Sequence, residues 1–310
     1  MDKKKWYLIV NPAAGNGKGK RHWSSIQELL KKTDIQYDFG ISEYAGHTIK
    51  LAEEAVLNGY QYIAAVGGDG TANEIINGIC QQDQVDSKTI TFAMIPVGTG
   101  NDWIKTHKIP NNYKKSILLM SAGHTQMHDI GKVFYHTPEG KKKHRYYLNV
   151  AGLAYDAYVT KATQVRPRWG NSQLYYLYLI VSCVTKFKPS PLTIHFDGQS
   201  MKHAFYNITV GQCKYNGGGT MLVPHADSRD GLFALTLFKD IAPWEVIVKA
   251  PKFYTGSITK HKEAFTTQAK HIMIEADAAT PAFVEVDGEY LGQTPIEFVM
   301  QEHAINIIVP

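Results

Sequence analysis

Cysteine is scarce in this chain. Cys80, Cys183 and Cys213 are the only three in 310 residues, far apart and with no CxxC pair. So dispersed and odd a set argues against a disulfide scaffold or a zinc ribbon, and for reduced thiols in a cytosolic protein. Long apolar runs are missing too. The longest, LYYLYLIVSCVTKF at 174–187, is too short to span a bilayer and reads as a buried helix. The start, MDKKKWYLIVNP, has only a handful of apolar residues before Asn11 and Pro12, so it reads as a first strand rather than a secretory signal. Familiar catalytic signatures are also absent. There is no GxxxxGK[ST], no GxGxxG after the first strand, no HRD, and no GxSxG. The thirteen histidines are scattered, without HExxH, which argues against a histidine zinc site.

Charge is nearly balanced, with 33 Lys and Arg against 28 Asp and Glu and a net charge of +5. This mild excess suits a phosphorylated substrate or an anionic membrane surface. No helix-turn-helix, zinc-finger or aromatic RNA-binding signature accompanies it, so nucleic acid is not an expected partner. The densest basic cluster, GKKKHR at 140–145, reads as a solvated hairpin tip, with membrane docking as the alternative.

The first third alternates between strand and helix. WYLIV (6–10) is a continuous apolar run, as expected of a strand buried on both faces. Residues 18–32 place Trp23, Ile26, Leu29 and Leu30 on one helical face. Strands at 35–41, 62–66 and 90–95 and helices at 47–59 and after 71 continue the pattern, which implies βαβ units and a mostly parallel sheet. Beyond about residue 125 strand-like runs follow one another at 128–135, 145–151, 192–197, 205–212, 232–238, 271–276, 282–287, 295–300 and 304–309. Only helices near 172–187 and 243–255 interrupt them, the pattern of a β-rich, mainly antiparallel domain. The expected division is an α/β nucleotide-binding domain at 1–127 and a β-rich domain at 128–310, whose last few residues return to the first.

Three unusual loops follow strands one, three and four: NPAAGNGKGK (11–20), GGDGT (67–71) and PVGTGND (96–102). In a parallel sheet all three emerge at the carboxyl edge, where open α/β sheets bind ligands. Small residues let backbone N–H groups approach phosphate oxygens, and the helix after Thr71 adds its positive end. Thr71 and Thr99 can donate hydroxyl bonds. Lys18, Lys20 and Arg21 either neutralise phosphate or form a solvated first helical turn. Asp69 and Asp102 make sense as ligands of Mg²⁺ bound to nucleotide phosphates.

Two acidic patches lie further on. PHADSRDGLF (224–233) sets Asp227 and Asp230 in a turn; with the Leu232 carbonyl they could hold a metal, and without it they are an Asp/Gly turn before a strand. VEVDGEYLG (284–292) is an Asp-Gly hairpin whose Asp287 and Glu289 could also supply a general base for phosphoryl transfer to a hydroxyl.

NPAAG, AGHTIKLAEEA, GGDGTANEIINGI, PVGTGNDWIK, NVAGLAYDAYV, DGLFALTLF and EVDGE occur in the order seen in the diacylglycerol kinase catalytic family, which the chain resembles from about 5 to 309. That family includes bacterial diacylglycerol and undecaprenol-type lipid kinases and the sphingosine kinases. The resemblance implies an N-terminal α/β domain like those of phosphofructokinase and NAD kinases, a three-layer arrangement around a parallel sheet, and a C-terminal all-β sandwich domain. It implies ATP contacts at Asn11, Pro12, Ala13, Ala14, Gly15, Ser42, Gly67, Gly68, Asp69, Gly70, Thr71, Ala72, Asn73 and Thr99, with Asp69 and Asp102 serving Mg·ATP. Asp227, Asp230 and the Leu232 carbonyl match a structural Mg²⁺ site of bacterial members. Asp287 and Glu289 fall on the catalytic segment that carries the proton acceptor; both stay open, with Glu289 slightly ahead. The first loop departs from the pattern of many members, which have Ser or Lys at its fourth or sixth position.

The expected activity is therefore transfer of the γ-phosphoryl of Mg·ATP to the hydroxyl of a membrane lipid, with diacylglycerol the default acceptor. Other lipids, a soluble acceptor as in the NAD kinases, and a non-catalytic nucleotide- or lipid-binding regulator are the alternatives. The expected location is the cytoplasm, with transient peripheral contact to the anionic inner face of the membrane. The edge strands leave a homodimer open.

Overall fold

The apolar runs and helical periods of the first third build a parallel sheet covered on both faces. The computed structural model describes residues 4–165 and 182–310. Strands β1 (Lys5–Val10), β2 (Gln36–Ile41), β3 (Tyr62–Gly67) and β4 (Thr91–Pro96) are parallel and lie in the order β2-β1-β3-β4. Successive side chains of a strand point to opposite faces. Trp6, Leu8 and Val10 of β1 pack with Trp23 and Ile26 of α1 (Ala14–Leu30) and Ile117 of α5 (Tyr113–Ala122). Ile9 packs on the other face with Leu51 of α2 (His47–Leu57) and Ile75 of α3 (Asp69–Gln81). Both faces are dry, which is why β1 shows no polar alternation.

The second half is antiparallel. Its strands are β5 (Thr125–His136), β6 (Lys142–Tyr147), β7 (Val150–Ala154), β8 (Pro191–Phe196), β9 (Gln199–Ala204), β10 (Asn207–Gly211), β11 (Phe233–Phe238), β12 (Ala264–Ala269), β13 (His271–Ala276), β14 (Phe283–Val286) and β15 (Glu289–Ile308). Leu153, Ile194, Ile208, Phe233, Leu235, Ile272, Val284 and Phe298 fill its core. Helix α6 (Tyr155–Val165) follows β7, and the α4 helix (Asp102–Thr106) follows the third glycine-rich loop. The long β15 joins the two halves: it pairs with β5, β13 and β14, and then its Asn306 and Ile307 lie parallel to Thr91 and Phe92 of β4.

Several elements differ from the sequence expectation, each for a local reason. The single strand expected at 145–151 is broken between β6 and β7, because the amides of Leu148, Asn149 and Val150 turn onto the Asp287 carboxylate. The separate strands expected at 295–300 and 304–309 are one strand with a bulge. There His303 takes a positive φ of 50° and its N–H donates to Asp129 Oδ1 at 2.6 Å. The helix expected at 243–255 is two, α7 (Pro243–Val248) and α8 (Ala250–Thr255), since Pro251 has no N–H to continue the first. Helices α4, α5 and α6 and strands β9 and β12 were not anticipated. Of the helix expected at 172–187, residues up to 181 lie outside the described residues; 182–186 are helical.

The β15–β4 junction should carry much of the stability of the site above it. Ile307 is fully buried there. Ile307→Ala is expected to cost about 2–5 kcal/mol in urea unfolding, as for other large-to-small core changes. A loss below about 1 kcal/mol would show that the junction is dispensable.

Candidate active site

The three glycine-rich loops meet at the carboxyl edge of the sheet, and they meet backbone to backbone. A Cβ on Gly15 would sit 2.1 Å from the Val97 carbonyl oxygen, and one on Gly98 would sit 2.5 Å from the Gly68 Cα. Only glycine permits so close an approach. Asn11 bridges the first two loops: its N–H reaches the Val66 carbonyl at 3.1 Å, and its side-chain amide donates to Thr71 Oγ1 at 3.0 Å. Thr71 is thereby buried beneath Gly67, whereas Thr99 is exposed at the tip of the third loop. Gly15, Asn16 and Gly17 are all left-handed, so the first loop coils tightly before the regular part of α1. Pro12, Ala13 and Ala14 form the bend into it, and Lys18, Lys20 and Arg21 stay exposed on the helix. Ser42 follows β2, its N–H held by the Val10 carbonyl at 2.9 Å beside the end of β1. Gly70 and Ala72 lie in the first turn of α3.

Asp69 explains why a carboxylate stands among these glycines. Its Oδ2 accepts the Asp102 N–H at 2.9 Å and its Oδ1 the Trp103 N–H at 3.1 Å, so it caps α4 from another loop. Burial pushes its carboxyl above the ordinary range despite these two bonds. Asp102 is buried as well, with Oδ1 on Lys105 Nζ at 2.6 Å and Oδ2 accepting the Gly218 N–H at 2.7 Å. Both carboxylates look across Gly100, whose absent Cβ would lie 3.6 Å from Asp69 Oδ2 and 3.8 Å from Asp102 Oδ2. Hard oxygen donors around a gap kept open by glycine, with one charge left undercompensated, fit a Mg²⁺ carried by a nucleotide. Each oxygen of Asp69 retains a lone pair for it.

The opposite wall comes from the second half. Asp287 and Gly288 form the tight turn between β14 and β15, both with positive φ (48° and 84°). The turn is thus the expected Asp-Gly hairpin, and its aspartate also has work. Asp287 Oδ1 accepts the Asn149 and Val150 N–H groups at 3.2 and 3.1 Å. Its Oδ2 accepts the Leu148 N–H at 3.1 Å and the Asn73 side-chain amide at 2.7 Å. Burial nevertheless pushes the carboxyl up to about 6, with a contribution from the negative charge of Asp69. Four donors fill both oxygens. Glu289, two residues on, is different: among the described residues only its Oε2 is engaged, by Arg145 at 3.1 Å, and its side chain is 41% exposed. Burial raises its carboxyl, and Arg145 works against that rise.

Asn73 is the hub between the halves. Besides Asp287, it receives the Arg145 guanidinium on Oδ1 at 2.8 and 3.1 Å and touches Asn77 and the Tyr146 carbonyl. Arg145 was expected in a solvated hairpin tip; it is the last residue of that cluster and folds inward, while Lys141, Lys142 and Lys143 stay exposed. Asn77 was readable in principle, standing four residues after Asn73 on one face of α3. Lys105 and Gly218 carried no such signal.

Asp227, Asp230 and Leu232 lie away from this cluster, before β11. Arg229 grips Asp227 through two bonds of 2.8 Å, and Asp230 accepts the Leu232 N–H at 3.0 Å and the Gln268 amide at 2.8 Å. A cation on these residues would have to share Asp227 with the guanidinium.

Comparison with known proteins gives the family. A model described as the diacylglycerol kinase catalytic domain matches residues 5–133, and one described as the YegS C-terminal NAD kinase beta sandwich-like domain matches 149–309. The chain belongs to the diacylglycerol kinase family. It is 27% identical over 308 residues to a protein of Staphylococcus aureus (strain bovine RF122 / ET3-1) named diacylglycerol kinase, covering 99% of this chain and 93% of that one. A protein of the same name from Bacillus subtilis (strain 168) is 26% identical over 304 residues, with 98% and 95% covered. Among solved structures, a Bacillus anthracis str. Sterne diacylglycerol kinase superposes with a TM-score of 0.74 at 23% identity, covering 100% of this chain and 98% of that one. A yeast NADH kinase in complex with NADH shares the fold, with a TM-score of 0.56 at 11% identity over 100% of this chain and 84% of that one. The α/β half and the β-sandwich half expected from the motifs are therefore those of the family.

The glycine contact between the second and third loops gives this kinase-family site a direct test. Gly98→Ala is expected to force the loops apart and weaken ATP binding at least about tenfold, or about 1.4 kcal/mol, by calorimetry. Unchanged affinity in a folded variant would mean that the contact does not shape the nucleotide site.

Proposed function

We propose that this protein is an ATP-dependent lipid kinase that moves the γ-phosphoryl group to the hydroxyl of a membrane lipid, with diacylglycerol the first candidate. The observation that carries the reading is that α3 ties two carboxylate sets together: Asp69 at its start holds the amides of Asp102 and Trp103 beside the glycine loops, and its Asn73 holds Asp287, with Glu289 two residues on. The relatives of the same name, matched over almost their whole length, support it.

Each part then has a chemical role. The backbone around Asn11, Gly15, Gly67, Gly68 and Thr99 receives the nucleotide, with Ser42 and Asn73 at its margins. Asp69 and Asp102 would hold Mg²⁺, which neutralises phosphate charge when bound. Glu289 takes the proton of the attacking hydroxyl through its unengaged oxygen. Asp287, with both oxygens filled, fixes the backbone at 148–150 and the turn that presents Glu289. Arg145 orients Glu289 and ties it to Asn73. Catalysis in this arrangement is mainly positioning and charge neutralisation. Asp227, Asp230 and the Leu232 carbonyl remain a proposed structural Mg²⁺ site.

A lipid acceptor requires access to a bilayer. Among the described residues no helix is long and apolar enough to cross one. Trp244, Ile247, Val248 and Tyr254 of α7 and α8 are exposed, on a stretch that also carries the exposed Lys252, Lys260 and Lys262. Apolar side chains flanked by lysines suit peripheral docking on an anionic leaflet, here the inner face of the cytoplasmic membrane.

Purified protein with labelled ATP, Mg²⁺ and lipids in mixed micelles tests the proposal. Labelled phosphatidic acid from diacylglycerol is the expected product; label on none of the lipids, with ATP still bound, would overturn the reading. The pH profile has a defined sign. Only the ionised Glu289 carboxylate accepts a proton, and burial raises its pKa, so kcat/KM should fall on acidification through a limb above the usual glutamate range. A flat profile down to the ordinary glutamate range would contradict that role.

A further inference from the structure

Beneath the Asp287 cradle lies a cluster that neither the family reading nor the phosphoryl-transfer mechanism uses. His107, just after α4, His128 of β5 and Cys213, just after β10, are all buried, and one ligating atom of each lies within 4.8 Å of the others. The Cys213 Sγ is 3.7 Å from His107 Nε2 and 3.7 Å from His128 Nε2. Sulfur and nitrogen ligands at about 2.3 and 2.0 Å from a tetrahedral zinc stand roughly 3.5 Å apart, so the three atoms are close to coordination spacing before any ion arrives. These residues are 21 and 85 positions apart in sequence, which is why no linear zinc motif announces them.

We infer that His107, His128 and Cys213 form a buried site for a borderline-soft divalent transition ion of the zinc class, separate from the oxygen-lined Mg²⁺ site. The donor set selects the metal: two imidazoles and a thiolate suit zinc and exclude magnesium. The outer contacts are those of a ligating set. His128 Nδ1 is held by the Asp129 carbonyl, which fixes the tautomer that turns the Nε2 lone pair inward. That lone pair now receives the Trp103 Nε1–H at 3.1 Å, and the thiol donates to the Leu148 carbonyl at 3.3 Å. Binding exchanges the first bond for a nitrogen–metal bond, and releases the thiol proton to solvent as the sulfur–metal bond forms. Water or the freed Leu148 carbonyl completes the fourth position. The ion would tie α4, whose N-terminus Asp69 caps, to the 148–150 segment that Asp287 grips.

Metal analysis of the purified full chain in excess Mg²⁺ tests this without reference to turnover. The expected result is one equivalent of zinc per chain after gel filtration. Zinc replaced by Co²⁺ should give tetrahedral d–d bands and a sulfur-to-cobalt charge-transfer band. Cys213→Ser should abolish the charge-transfer band and weaken metal binding at least tenfold while leaving ATP affinity unchanged. Less than a tenth of an equivalent after zinc loading, with no cobalt spectrum in the wild-type chain, would overturn the site and leave a closed hydrogen-bond cluster. Retention of the charge-transfer band in Cys213→Ser would overturn it equally. If that variant does not fold, the wild-type titration alone decides.

Discussion

The carboxylate of Asp287 holds the two halves of this molecule in register. Four N–H groups converge on it, three from the backbone between β6 and β7 and one from Asn73 on α3. Without an acceptor there, three consecutive amides would be turned toward a cleft with no partner, and such groups are costly when buried. With it, the β-sandwich half is anchored to the helix that starts at the GGDGT loop. The raised carboxyl shows the cost of that arrangement: a charge is kept where burial disfavours it, and hydrogen bonds offset only part of the penalty.

Asp69 plays the matching part on the other side. It caps α4 and so links the second and third glycine loops, while the glycines let those loops touch. A capped helix end, an open gap over Gly100 and one undercompensated negative charge make one constraint. Position and electrostatics are thus set by the same residues, as phosphoryl transfer requires.

The broad plan was legible in the residues because it rests on local patterns. Continuous apolar runs alternating with 3.6-period helical faces announced the βαβ third, and strand-like runs following one another announced the antiparallel part. The glycine loops were legible because every such loop after a parallel strand must open at the same edge. What escaped depends on contacts between distant positions. The inward fold of Arg145 follows from Asn73, 72 residues earlier, and the break in the strand at 148 from Asp287, 139 residues later. The fusion of two expected strands into β15 depends on Asp129, 174 residues before the bulge. The His107, His128 and Cys213 cluster escaped for the same reason.

The division of labour between neighbouring carboxylates is the central claim, and single-turnover phosphoryl transfer from ATP to diacylglycerol tests it most directly. Glu289→Gln is predicted to slow the chemical step by about 10²–10⁴-fold, with ATP affinity and melting temperature close to wild type. Asp287→Asn is predicted to lower the melting temperature, because its amide cannot accept four N–H bonds. A Glu289→Gln enzyme with wild-type single-turnover rate would contradict the assignment of the proton acceptor.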